Sequence, residues 1–321
     1  MGPLRDPSPR GHLFLYAPST DTVHRVTLQG YPAAHDFHPL GMDIYPSHNH
    51  ASSNLFIVNH ARAHTTIEQF VLDPAHPTEA QYVRTLRSPY FISPNALALT
   101  GPTSFFVSND HLLTRRLPAL GHVLPLVETV AGLPLSWVAH VTVRDDALTH
   151  TVAALGIPFA NGVALHAGHL AVAATSVGVV HVYAVDGGKL ALAHTVPVPF
   201  LPDNVAYDDD GVLIVSGHPH FPALADVAAN KTRVGPRATT NAPSWAVALT
   251  PAKGPNQGTY DTRASLSASQ FAPAVDSYAV ETLFQSDGSV FGSSSTTLRD
   301  ARTGVIYIAG LYEQGVLMCR P

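Results

Sequence analysis

The sequence predicts an all-β fold, a six-bladed β-propeller in which residues 1–321 form one domain, with one blade left incomplete and a short apolar helix or lid. Three observations carry this. Strand-period apolar runs fill nearly the whole chain, a repeat recurs along it, and a polar residue heads most repeats.

The runs come first. Leu55-Phe56-Ile57-Val58, Phe105-Phe106-Val107, Val179-Val180-His181-Val182-Tyr183, Val212-Leu213-Ile214-Val215 and Val305-Ile306-Tyr307-Ile308 are short and rich in β-branched or aromatic residues. Gly, Pro, Asn or Asp bounds each one, as strand ends require. Helical pattern is confined to two candidates, Thr114 to Ala131 and Leu224 to Asn230.

The repeat begins with a small or polar pair, often after Pro, and continues into an alternating apolar strand. Its starts are His38-Pro39-Leu40-Gly41-Met42, Pro94-Asn95-Ala96, Ala160-Asn161-Gly162 and Pro202-Asp203-Asn204, with weaker ones at Pro243-Ser244-Trp245 and Gly292-Ser293-Ser294. Six starts imply six blades, each near the length of a four-stranded sheet with its loops. A sandwich or jelly roll also has many short strands, but it gives no reason for the recurring polar head. In a propeller that position is the inner end of the innermost strand and faces the axial channel.

Composition sets the outer bounds. Hydrophobic residues make up 45% of the chain and charged residues 13%, a globular balance. The net charge of −5 and the absence of a Lys/Arg run argue against nucleic acid as a partner. No apolar N-terminal core of a signal peptide and no spanning apolar segment is present, so the compartment is not readable. Val123 to Val143 comes nearest, and Pro125, Glu128, Gly132, Pro134 and His140 interrupt it. It reads as an apolar surface helix or lid, with membrane or lipid contact as a lesser alternative. The 19 histidines raise the prior for metal or acid–base chemistry. Cys319 has no second cysteine to pair with.

Asn95, Asn161, Asp203 and Asn204 head successive repeats and all offer oxygen. Asn or Asp at a strand start often only makes a turn. Three successive repeats with Asn in register point instead to a hard cation, and oxygen donors favour calcium over zinc.

The segments Phe37-His38-Pro39-Leu40-Gly41, Val58-Asn59-His60, Pro94-Asn95, Ser108-Asn109-Asp110-His111, Phe159-Ala160-Asn161-Gly162, Asp203-Asn204 and Gly217-His218-Pro219 resemble, in order and context, the paraoxonase/arylesterase family. That resemblance implies a six-bladed propeller acting as a calcium-dependent lactonase or arylesterase on a small-molecule ester or lactone. It implies that Asn95, Asn161, Asp203 and Asn204 ligate the catalytic calcium. It implies that His60 is one histidine of a dyad activating water, and that Asp110, His111, Phe159 and His218 line the substrate pocket.

Three departures follow from the same resemblance. The second dyad histidine falls at Leu40, with His38 two residues earlier on the same strand face as its nearest substitute. A second, structural calcium would need Asp where Ala96 stands. The family's N-terminal glutamate ligand and the cysteine that would partner Cys319 belong to a segment lying before the first strand of this chain, which should leave a blade edge open.

Other motifs add little. His48-Asn49-His50 reads as a solvated loop pair, and Asn230-Lys231-Thr232 is a glycosylation sequon that matters only outside the cell. No Gly-x-Ser-x-Gly elbow or phosphate-binding loop is present. Two further readings stay open: a catalytically impaired propeller that binds a ligand or partner, and a strictosidine-synthase-like propeller enzyme, which needs an acidic base and no calcium.

Overall fold

Turn-forming residues cut this chain into strands too short to fold alone, so each must bury its apolar face against a neighbour. The computed structural model describes residues 10–47, 49–145, 147–229, 242–252, 257–260 and 275–321. His48 of the histidine loop pair and the sequon Asn230-Lys231-Thr232 lie outside the described residues. The chain divides into two compact units, one up to Ala160 and one from Asn161 onward.

The first unit holds two sheets. In the first, β1 (Leu13–Ala17), β2 (Thr22–Gln29), β3 (Pro39–Tyr45), β4 (Ser53–Asn59), β5 (Thr66–Leu72) and β6 (Glu79–Leu86) pair in the order β1-β2-β6-β5-β4-β3. β3 to β6 form an antiparallel meander, and β2 joins its outer edge in parallel through Thr27 to Gln29. The second sheet is β7 (Pro94–Gly101), β8 (Ser104–Asn109), β9 (Ser136–Arg144) and β10 (Ala147–Ile157), again an antiparallel meander. Helix α1 (Leu124–Val130) lies between β8 and β9.

β4, β5, β8 and β9 are each buried along most of their length, as strands covered on both faces are. The core joining the two sheets includes Phe56, Val58, Ile67, Leu97, Phe105, Val107 and Val141. Phe56 and Phe105 stack with ring centroids 5.3 Å apart. Burying each such ring contributes about 1.5–3 kcal/mol. The strands β3 and β7 come so close that a Cβ at Gly41 would strike the Asn95 carbonyl.

The second unit holds three larger sheets. One is β11 (Ala160–His166), β12 (His169–Ala174), β13 (Val179–Asp186) and β14 (Lys189–Pro197). The next pairs β15 (Leu201–Tyr207), β16 (Leu213–His218), β17 (Ser244–Pro251) and β20 (Tyr278–Ser286), while β18 (Gln257–Gly258) and β19 (Val275–Asp276) form a small separate ladder. The last is β21 (Ser294–Arg299), β22 (Ile306–Gly310) and β23 (Val316–Cys319). Helix α2 (Phe221–Ala228) follows β16. Trp245, Val215, Val247, Val182 and Phe200 centre this unit's core.

The fold is all-β with two short helices, a propeller-like succession of five blade-like sheets among the described residues. Six blades are not found among the described residues, and the expected start at Pro243-Ser244-Trp245 does not open a sheet. That segment opens β17, the third strand of the fourth sheet, and not a new innermost strand. Its polar head serves neighbouring backbone, since Ser244 Oγ accepts from the Ser294 N–H at 2.9 Å. The final sheet has three strands. The long helix expected over Thr114 to Ala131 shrinks to Leu124–Val130, because Pro118 and Gly121 fall in its first half. Among the described residues, no helix is long and apolar enough to cross a membrane.

Candidate functional site

In both units polar side chains gather where the first strand of a sheet starts and the second ends. Antiparallel pairing brings these two positions together: Pro39 faces Asn59, Pro94 faces Asn109, and Leu201 faces His218. The expected site residues occupy such positions, and each unit builds its own cluster.

In the first unit, Asn95 donates from Nδ2 to Asp110 Oδ2 at 3.1 Å. Asp110 is buried, and its Oδ1 pairs with His111 Nδ1 at 2.9 Å. The other ring nitrogen of His111 bonds Thr129 Oγ1 at 2.8 Å, which ties helix α1 to the cluster. Glu128 of the same helix accepts from the backbone N–H groups of Leu112 and Leu113, at 3.0 and 2.7 Å. The helix is thus clamped from inside, while Leu126, Val127 and Val130 stay exposed. Phe159, held at φ 58°, packs its ring edge-on to His111 at 4.4 Å.

His60 and His38 lie close in the backbone, with the His60 N–H donating to the His38 carbonyl at 3.0 Å. Their side chains serve different groups. His60 Nε2 meets the Pro94 carbonyl at 2.7 Å, so it fixes the strand head that carries Asn95. His38 Nε2 pairs with Asp36 Oδ1 at 3.0 Å, and Asp36 is held in turn by the Arg62 backbone N–H at 2.9 Å. Leu40, standing where the resemblance places a histidine, is 42% exposed.

In the second unit, Asn161 donates from Nδ2 to Thr175 Oγ1 at 3.1 Å, and Thr175 donates to the Pro202 carbonyl at 2.6 Å. That hydroxyl couples the head of β11 to the head of β15. The backbones also meet directly: a Cβ at Gly162 would stand 2.5 Å from the Asn204 Cα and 2.8 Å from the Asp203 carbonyl. Only glycine permits this approach. Asn204 donates from Nδ2 to Thr296 Oγ1 at 3.0 Å. Asp203 Oδ2 pairs with His218 Nε2 at 2.9 Å, with both residues buried. His218 Nδ1 is buried with no hydrogen-bond partner among the described residues.

One rule links the asparagines. Asn95, Asn161 and Asn204 each spend the amide nitrogen on a protein oxygen. A carboxamide so tied has its flip fixed, with the carbonyl oxygen on the side away from the tie, where it can serve a ligand as acceptor. With the second oxygen of Asp203, the β11–β15 cluster is an oxygen-only donor set, the kind a hard divalent cation takes. The residues present therefore fit calcium. Among the described residues no three His, Cys, Asp or Glu side chains gather as a metal site. The hydroxyls of Thr175 and Thr296 and the carboxylate of Glu128 were not predicted from sequence, since no motif marks them.

Burial holds several histidines neutral. His60 is pushed down to about 4, chiefly by desolvation, and His140, His150 and His181 are lowered for the same reason. His150 sits against the Tyr90 and Phe91 rings. In the unfolded chain these groups return to about 6.5 and bind protons that the folded state refuses. Stability should thus be complete above about pH 7 and fall as pH drops from about 6.5 toward 4. His60, the most strongly lowered of the four, contributes the largest share of that loss. Urea midpoints measured across this range check it; a midpoint that stays flat below pH 6 contradicts it.

A family model described as Arylesterase matches residues 6–233, well over half of the chain. Serum paraoxonase/lactonase 3 of Homo sapiens is 24% identical over 188 residues, covering 57% of this chain and 50% of that protein. The chain thus aligns with about half the length of that relative. Among solved structures, a luciferin-regenerating enzyme is matched over 96% of this chain and 79% of its own, with a TM-score of 0.50 and 11% identity, a likeness of fold.

Proposed function

The chain belongs to the arylesterase family, and from that premise we propose that it hydrolyses small esters or lactones, with calcium held by Asn161, Asp203 and Asn204. The observation that carries this reading is the β11–β15 cluster, where tied amides and one carboxylate share their place with an oriented imidazole.

Calcium bound there would polarise the substrate carbonyl and stabilise the charge that develops on its oxygen. The chain's own residues supply the rest. Asp203 accepts the Nε2 proton of His218 and so fixes the tautomer with the lone pair on Nδ1. That nitrogen can then take a proton from the attacking water and return it to the leaving oxygen. We assign the proton transfer to His218. His60, turned to the Pro94 carbonyl and held neutral down to low pH, is a weak base and acts as a positioning residue. His38 is oriented by Asp36 in the same way, but only His218 shares its cluster with Asn161, Asp203 and Asn204, so we place the proton transfer there.

A second reading is that the chain binds a ligand without turning it over. Leu40 in place of the resemblance's histidine favours it.

Hydrolysis of phenyl acetate and of a δ-lactone, with and without a calcium chelator, separates these. The hydrolase reading expects activity that the chelator removes and added calcium restores. Turnover untouched by the chelator overturns the metal's role. Calcium binding without any turnover selects the second reading.

A further inference from the structure

The first unit carries a cavity of about 490 Å³, open to solvent; none of the sequence-predicted site residues lines it, although Asp36, which holds His38, does. Its volume lies in the range of small-molecule sites. Its wall holds two acids, Asp36 and Glu68, and both are turned to internal partners. Glu68 is 1% exposed and accepts from Asn59 Nδ2 at 2.9 Å, Thr66 Oγ1 at 2.6 Å and Thr85 Oγ1 at 2.5 Å. Asp36 takes the Arg62 N–H and the His38 ring.

The wall's cations are more accessible. Arg10, Arg62 and Arg87 line the cavity and are exposed. Arg10 donates to the Ala33 and His35 carbonyls, Arg62 pairs only its Nε with Asp36 Oδ2 at 3.5 Å, and Arg87 has no ion-pair partner among the described residues. The entrance therefore presents guanidinium groups, which recognise planar oxyanions by paired hydrogen bonds. The two carboxylates behind them offset part of the positive charge, so recognition must lean on a ligand's apolar body as well as on its charge. Ala33, Ala34, Ala61 and Ala63 give part of the wall a short apolar lining.

We infer that this cavity binds a small monocarboxylate with a short apolar body, its carboxylate at Arg62 and Arg87. An acid of this class is what ester or lactone opening releases, and only that link to the product rests on the hydrolase reading.

The test is calorimetric titration of the full chain with sodium pentanoate at neutral pH, beside pentan-1-ol and inorganic phosphate. Pentanoate should bind, with pentan-1-ol and phosphate each at least about tenfold weaker. The doubly substituted Arg62→Ala, Arg87→Ala chain should lose at least about tenfold in pentanoate affinity; its fold is checked by circular dichroism, and both side chains are exposed. Asp203→Asn should leave pentanoate binding unchanged. The inference is overturned if the double variant binds as the parent does, if pentan-1-ol or phosphate matches pentanoate, or if Asp203→Asn abolishes binding. Pentanoate binding by a chain that hydrolyses nothing would sink the hydrolase reading and leave this one standing. Turnover without pentanoate binding would do the reverse.

Discussion

Asn161→Ala is expected to lower kcat/KM for phenyl acetate by at least about a hundredfold, the scale of losing one group that stabilises a developing oxyanion. The same substitution should weaken calcium binding measured by calorimetry, because it removes one oxygen from a set with a single carboxylate. Asn161→Asp keeps an oxygen at the position and should retain calcium binding. Thr175→Val, which removes only the hydroxyl tying the amide at 3.1 Å, should cost less than Asn161→Ala. Equal calcium affinity in Asn161→Ala and the parent would remove this residue from the donor set.

His218→Gln should lower kcat by about 10²- to 10⁴-fold, the usual contribution of a positioned acid–base group, with a smaller change in KM. His60→Gln should cost less than about tenfold, since its role is to hold the Pro94 carbonyl. A reversal of that order, with His60 costly and His218 cheap, would return proton transfer to the first-unit histidine.

The strands were legible because alternation and β-branching act locally. Phe105-Phe106-Val107 and Leu213-Ile214-Val215 form strands as their composition suggests. The polar heads were legible too, since Asn95, Asn161 and Asp203 fall on first strands. Strand position within a sheet was not. Ser244-Trp245-Ala246 has the polar head and apolar run of an innermost strand, yet it lies third, between β16 and β20. Pairing partners decide this, and they are remote in sequence. The same remoteness hid the ties on the amides: Thr175 lies 14 residues from Asn161, and Thr296 lies 92 from Asn204. His218 was legible as a polar pocket residue, but its pairing with Asp203 needs the β15–β16 register.

The nitrogen ties on the asparagines have a thermodynamic consequence. A carboxamide swinging in solvent must be immobilised when it captures an ion, and each side chain frozen at that moment costs up to about 1–2 kcal/mol. Thr175 and Thr296 immobilise Asn161 and Asn204 during folding instead. The entropy is spent once, when the chain folds, and ion capture begins from an already ordered ring of dipoles.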